Sequence, residues 1–164
     1  MLRAMPPLPE WRLRQAAAGD VPALAALYAD TARRWGAWCY SPQQVDAWAS
    51  FAADQAAFRA YVLGATTWVA QRAGGPELMG FCGVDAQGEV HSLYVDAGCL
   101  RRGLGSALLR HALAVAQQRG VAAFAAWATP FSVPVFQRAG FALERTVHEP
   151  YRGVMFERHR MRRP

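Results

Sequence analysis

The sequence predicts a single α/β domain of about 6–7 strands and four or five helices, and three observations carry that prediction. Of the 164 residues, 53% are hydrophobic and 18% charged, a globular composition with enough chain for one substantial core. The apolar period switches repeatedly between the value of a helix and that of a strand. No internal repeat and no linker interrupts the pattern, so one domain is expected over residues 1–164.

Taken in order, Glu10 to Gln15 alternates Trp11 and Leu13 with Arg12 and Arg14, as a strand does. Asp20 then stands at the cap position of a helix expected to reach Trp35, with Pro22 in its first turn and Leu24, Leu27 and Tyr28 on one face. Ser41-Pro42-Gln43-Gln44 combines a cap, a first-turn proline and a capping box, and starts a short second helix through Val45, Trp48 and Ala49. A third helix is predicted from Asp54 to Leu63. Three strands follow, Thr66 to Gln71, Glu77 to Val84 and Glu89 to Val95, punctuated by Ala73-Gly74-Gly75-Pro76 and Ala86-Gln87-Gly88. A long helix from Gly103 to about Arg119 is closed by Gly120. Val121 to Ala128 reads as a buried strand, Phe131 to Ala139 as a short helix, and Phe141 to His148 with Gly153 to Met161 as two paired strands.

Charge and cysteine content narrow the function. No apolar run reaches the roughly 18 residues of a membrane-spanning helix, and the start of the chain lacks the apolar stretch of a signal peptide. Cys39, Cys82 and Cys99 are odd in number and have no metal-ligand spacing. They read as free thiols in the reducing cytoplasm, with no metal site. The formal charge is +6. From Ala97 to Leu143 there is no Asp or Glu, while Arg101, Arg102, Arg110, Arg119 and Arg138 all fall there. Such a stretch favours an anionic ligand. A second cluster, Arg152, Arg158, Arg160, Arg162 and Arg163, reads as a solvated terminal strand rather than a nucleic-acid surface.

The segment that carries chemistry is Leu93-Tyr94-Val95, a loop through Leu100 and Arg101, then Arg102-Gly103-Leu104-Gly105-Ser106. A strand runs into a glycine-rich loop that opens a helix. The first-turn N–H groups of a helix lack intrahelical partners and carry partial positive charge. Glycine lets the backbone approach a phosphate closely, and the two arginines add charged hydrogen bonds. This pattern is a diphosphate cradle. An ATP loop needs a lysine, and the chain has none. A dinucleotide fingerprint needs a third glycine, where Leu108 stands, and a later acid inside the acid-free stretch.

With these residues in place, the sequence resembles the GNAT superfamily of N-acetyltransferases. Its coenzyme A loop, Arg/Gln-x-x-Gly-x-Gly/Ala between a strand and a long helix, is matched by Arg102-Gly103 and Gly105-Ser106-Ala107-Leu108-Leu109. A second family signature, near Phe-Tyr-x-x-x-Gly-Phe, is matched by Val135-Phe136-Gln137-Arg138-Ala139-Gly140-Phe141. The element order agrees over nearly the whole chain, and Tyr40 to Trp48 is similar to a bacterial subgroup. The resemblance implies a single-domain GNAT-like fold with a mixed central sheet of about 6–7 strands flanked by helices. It implies acetyl-CoA as co-substrate, held by Leu93, Tyr94, Val95, Leu100, Arg101, Arg102, Gly103, Leu104, Gly105, Ser106 and Phe136. Two departures stand out. Leu100 occupies a place usually held by Arg or Gln. Phe136 replaces the Tyr that protonates the leaving thiolate in many members, and a phenyl ring has no proton to give.

Transfer to an amine requires the neutral amine, and a lysine-like amine with a pKa of about 10.4 is almost wholly protonated at neutral pH. Asp85, Glu89 and His91 are the candidates to take the proton, with Glu89 and His91 foremost. In an extended strand those two would share one face with Leu93 and Val95. A backbone N–H near Tyr94 or Val95 is expected to polarise the thioester carbonyl, with a bulge there to free it. Trp38 and Tyr40, in the connection between two helices, are expected to touch a small amine with an apolar part, whereas Trp48 and Phe51 read as core. The partners expected are thus a coenzyme A thioester and a small amine, with neither nucleic acid nor membrane; monomer and homodimer both remain open. A coenzyme A-binding sensor without transfer activity is the alternative that Phe136 keeps open, and a nucleic-acid-binding module using the C-terminal arginines is a more distant one.

Overall fold

A computed structural model of the chain describes residues 10–99 and 102–164. Seven strands form one mixed sheet: β1 (Trp11–Gln15), β2 (Thr66–Arg72), β3 (Leu78–Val84), β4 (Glu89–Val95), β5 (Phe124–Ala128), β6 (Ala142–Tyr151) and β7 (Val154–Arg163). Their order across the sheet is β1-β2-β3-β4-β5-β7-β6. The helices are α1 (Val21–Gly36), α2 (Pro42–Ala49), α3 (Gln55–Leu63), α4 (Leu104–Gln118) and α5 (Val133–Arg138).

The amphipathic helices cover the sheet on both faces. α4 buries Leu104, Leu108, Leu109 and Leu113 against Met79, Cys82, Val90 and Phe124. α1 and α3 bury Leu24, Leu27, Tyr28, Phe58 and Val62 against Val69 and Phe81 on the opposite face. α1 ends at Gly36, where a Cβ would come within 3.0 Å of Val45 and 3.3 Å of Trp48; the missing side chain is what lets α2 pack so close. Ser41 and Gln44 exchange the two hydrogen bonds of the expected capping box, at 3.2 and 2.8 Å.

Some boundaries differ from the sequence reading, each for a local reason. Asp20 makes no side-chain cap for α1. Its carboxylate instead accepts the Ala17 N–H and pairs with Arg14, which holds a short 3-10 turn ahead of the helix. β5 starts at Phe124 rather than Val121, because the Val121 N–H is bonded back to the Ala116 carbonyl across the left-handed Gly120 that ends α4. β6 and β7 are longer than predicted. They are joined by a two-residue turn in which both Arg152 and Gly153 have positive φ, the geometry that matches strand twist in a hairpin. Pro150 lies in β6, an edge strand, where its missing N–H costs no central ladder bond.

The feature that creates the site is the junction of β4 and β5. They run parallel and pair only through Glu89↔Ala125 and Val90↔Ala126, then part. Where they part, β4 carries a bulge: Gly83 faces Ser92 and Val84 faces Val90, so His91 has no partner on β3. The expected irregularity near Tyr94 and Val95 therefore sits three to four residues earlier.

Candidate active site

The splayed strands open a wedge that holds two adjoining cavities. One, of about 200 Å³, runs along the α4 side and is lined by Leu93, Tyr94, Val95, Gly103, Leu104, Gly105, Ser106 and Phe136. All the described residues expected to hold the cofactor, apart from Arg102, are thus brought to one slot. Leu100 and Arg101, named with them from the sequence, lie outside the described residues. Arg102 points elsewhere: its guanidinium pairs with Glu10 at 2.9 Å on the surface. Arg138, from the acid-free stretch, lines the slot instead.

The cradle has the local geometry its glycines predict. Gly103 precedes α4 with φ of +78°, a conformation most side chains resist. A Cβ on Gly105 would meet only Val95, at an ordinary 3.4 Å, so packing inside the protein does not demand glycine there. A glycine that costs a helix roughly 0.5–1 kcal/mol and fills no internal need fits a ligand's close approach. The N–H groups of Leu104, Gly105 and Ser106 belong to the unpaired first turn of a 15-residue helix. Anionic diphosphate fits this cradle.

Along the slot, Asp96 donates its N–H to the Met79 carbonyl at 2.8 Å. Antiparallel pairs alternate, so the Leu93 and Val95 N–H groups turn away from β3 and into the wedge. The far wall carries Phe136, buried and edge-to-face with Phe141 at 5.2 Å, together with the hydroxyls of Thr129 and Ser132. Cys99 also lines the slot, and burial raises its thiol above the usual range. Burial pushes Cys82 up to about 12 within the core. Neither is poised as a thiolate nucleophile.

The second cavity, of about 360 Å³, is strongly aromatic and contains Glu89 and His91. Tyr94, Trp48, Trp127 and Thr129 line both cavities, so the two meet there. The bulge determines what faces this space. Val90, Leu93 and Val95 all pack in the α4 core, whereas Tyr94 packs in the α1 and α3 core. The extra residue shifts the alternation, and Glu89 and His91 fall with Tyr94 rather than on the face of Leu93 and Val95 as strict alternation would have them.

The polar groups of this cavity are firmly held. His91 Nε2 lies 2.7 Å from Asp85 Oδ2. Asp85 Oδ1 accepts the N–H groups of Gln87 and Glu89 at 2.9 and 3.0 Å. Burial works to raise the Asp85 pKa, but the Glu89 N–H, His91 and the Gln87 N–H outweigh it and hold the carboxyl below its usual range. A carboxylate can only accept, so Nε2 is the donor of this pair, and the Nδ1 lone pair is the one open to an acceptor when the ring is neutral. The Tyr61 hydroxyl donates to the His91 carbonyl at 2.7 Å and pins the bulge. Glu89 is gripped by Arg160. Burial raises the phenols of Tyr28, Tyr61 and Tyr94, so they serve as neutral hydroxyls.

Tyr40 lines the acceptor-side cavity, as expected. Trp38 lines neither cavity: it is 79% exposed and stacks on Trp35, which is itself a wall of the slot. Trp48 and Phe51 combine two roles, packing against the core and lining the cavity. Trp127, Thr129 and Arg158 were not singled out as site residues by the sequence, because a lone Trp in an alanine-rich strand reads as core. The C-terminal arginines are largely paired, Arg158 with Glu149, Arg160 with Glu89 and Arg162 with Glu144. No helix among the described residues is long and apolar enough to cross a membrane.

Comparison with known proteins agrees with this geometry. The family model described as an acetyltransferase (GNAT) domain matches residues 37–161. The fold is similar to that of a GCN5-related N-acetyltransferase from Rhodopseudomonas palustris, with a TM-score of 0.89 at 24% identity over 98% of this chain and 99% of that one. It is also similar to the PaiA N-acetyltransferase of Thermoplasma acidophilum, solved in complex with coenzyme A, with a TM-score of 0.75 at 14% identity over 93% and 98% of the two chains. For the ribosomal-protein-S18-alanine N-acetyltransferase of Escherichia coli the TM-score is 0.70, at 16% identity over 94% and 93%. No curated protein matches the chain in sequence. With the family model spanning both the cradle and the wedge, the chain belongs to the GNAT family of acetyl-CoA-dependent N-acetyltransferases.

Proposed function

We propose that this acetyltransferase transfers the acetyl group directly to the amine of a small molecule, with acetyl-CoA along the slot and the amine in the aromatic cavity. The observation that carries this reading is the meeting of the two cavities at Tyr94, Trp48, Trp127 and Thr129. A thioester at the inner end of the slot and an amine in the cavity would share that junction. Proximity of this kind supplies effective molarities of about 10⁵ M or more.

Each residue then has a role in the reading. The N–H groups of Gly103 to Ser106 hold the diphosphate, with Arg102 and Arg138 able to swing toward it, and Arg101 is assigned there from the sequence. The Val95 N–H, turned into the wedge, polarises the thioester carbonyl. His91, oriented by Asp85, collects the ammonium proton at Nδ1, directly or through one water. Glu89 is the second candidate base, and its two bonds to Arg160 leave it less free. The amine nitrogen bonds to the acyl carbon as the carbon–sulfur bond breaks, and the sulfur leaves with the electron pair. Phe136 offers it no proton, and on the same wall the Thr129 hydroxyl donates to Ser132 and the Ser132 hydroxyl to the Thr129 carbonyl, so that proton comes from water. The three free cysteines accord with a reducing cytoplasm.

The test is to incubate the chain with acetyl-CoA and a panel of small amines and follow released thiol. Thiol release that depends on the amine is expected. Tight acetyl-CoA binding without turnover of any amine would replace this reading by that of a coenzyme A sensor, which the phenyl ring at Phe136 favours.

A further inference from the structure

We infer that the acceptor is an aromatic amino acid or a close analogue, with its α-carboxylate held by Arg158. This rests on the proposed use of the larger cavity as the acceptor site, and it follows from shape, charge and position together.

Shape sets the body of the acceptor. The cavity walls include Tyr40, Trp48, Phe51, Trp127, Tyr151 and Phe156. At about 360 Å³ the space has room for a benzyl or indole group. Such walls could also cage a cation, and charge decides between the two. Three guanidinium groups already surround the Trp127 ring: Arg158 at 4.7 Å, Arg160 at 5.1 Å and Arg145 at 5.8 Å. A permanently cationic body would meet like charge there, so the apolar body is favoured.

Arg158 supplies the recognition. Arg160 is consumed by its two bonds to Glu89, and Arg162 lies with Glu144. Arg158 also lines the cavity, but its one carboxylate contact is a long 3.3 Å from a single nitrogen to Glu149, and both partners are over 40% exposed. Exposed pairs of this kind are weak, and most of the fork remains open to a bidentate partner. Its position fixes the kind of carboxylate. Arg158 stacks on Trp127, which lines both cavities, so an anion on Arg158 lies one ring away from the junction where the amine must react. A carboxylate on the carbon next to the amine spans that short distance.

The experiment compares L-phenylalanine with phenethylamine and L-tryptophan with tryptamine, pairs that differ only in the carboxylate. Thiol release from acetyl-CoA gives kcat/KM, and calorimetry with coenzyme A present gives binding without turnover. The amino acids are expected to be favoured by about tenfold or more, the scale of one charged hydrogen bond. Arg158→Gln should remove that preference while Glu149→Gln, which releases Arg158, should increase it. Thermal melting confirms that both variants are folded. Amines that bind and react as well as their amino acids, or a preference untouched in Arg158→Gln, would overturn the inference. If the amino acids bind through Arg158 but no amine is acetylated, the carboxylate site at Arg158 stands while the proposed transfer, and with it the acceptor role, falls.

Discussion

Arg160 grips Glu89 with both terminal nitrogens, at 2.6 and 2.9 Å, and reaches across an intervening strand to do it. Glu89 opens β4, Arg160 lies on β7, and β5 runs between them. The side chains are only 24% and 14% exposed, so removing one strands the charge of the other. Arg160→Ala is expected to destabilise the fold by about 2–3 kcal/mol, read from the shift of the urea midpoint. The double variant Glu89→Gln, Arg160→Gln should lose less than the sum of its singles. A strictly additive cycle would show that the two groups are not coupled.

Gly105 separates folding from cofactor binding. Its absent Cβ would make only an ordinary contact with Val95, so Gly105→Ala should fold and gain up to about 1 kcal/mol of helix stability. Gly105→Glu should also fold, while bulk and negative charge at the cradle abolish acetyl-CoA binding. Calorimetry with undiminished affinity in the folded Glu variant would remove the diphosphate from the start of α4.

The Asp85–His91 pair predicts a graded kinetic response. His91→Gln should lower kcat/KM by about 10²-fold, the low end for a positioned acid–base group. Asp85→Asn leaves the imidazole but loses its orientation, and should cost less than His91→Gln. If Glu89→Gln does the damage while His91→Gln and Arg160→Gln, which breaks the same ion pair, are both near normal, the base is Glu89. Should Glu89→Gln and His91→Gln both keep normal rates and profiles, the enzyme selects the neutral fraction of its amine, which favours an α-amino group over a lysine-like one.

Acid stability has a named contributor in Asp20. Hydrogen bonding to Arg14 lowers its pKa most, burial opposes this, and the Ala17 N–H assists. A carboxyl whose folded value is depressed adds stability that is complete above its unfolded value, about 3.9, and is lost as pH falls through the folded value. Asp20→Asn should therefore be less stable than the parent at neutral pH, by about 1 kcal/mol, and the gap should close below about pH 4. Parallel melting curves from pH 7 to pH 3 would exclude this contribution.

Much of the fold was legible because the apolar period and the caps are local signals. The Ser41–Gln44 box and the Gly103–Gly105 cradle are written in adjacent residues, and the structure has them at those positions. The acceptor side was less legible because it depends on register. A single bulge at His91 reverses which face of β4 its neighbours take, and no residue type announces it. Trp127 and Arg158 become site residues only through the pairing of β5 with β7, a contact between distant segments. Trp38 shows the opposite case: it lies in a connection, as its sequence position predicts, but it is exposed and stacks on Trp35 rather than entering the acceptor-side cavity.

The brief pairing of β4 with β5 has a mechanical consequence. Among the described residues, two residue pairs, the Ala125 N–H bond to the Gly88 carbonyl beside them and the Arg160 strut are the main-chain and ionic ties that join strands β1 to β4 to strands β5 to β7. The sheet therefore has a seam, and a long ligand lying in it acts as a removable strand that spans both halves. Binding of acetyl-CoA should thus raise the melting temperature and slow amide exchange in β4 and β5 together, well beyond the residues it touches. Protection confined to the α4 cradle would mean that the halves are already locked without it.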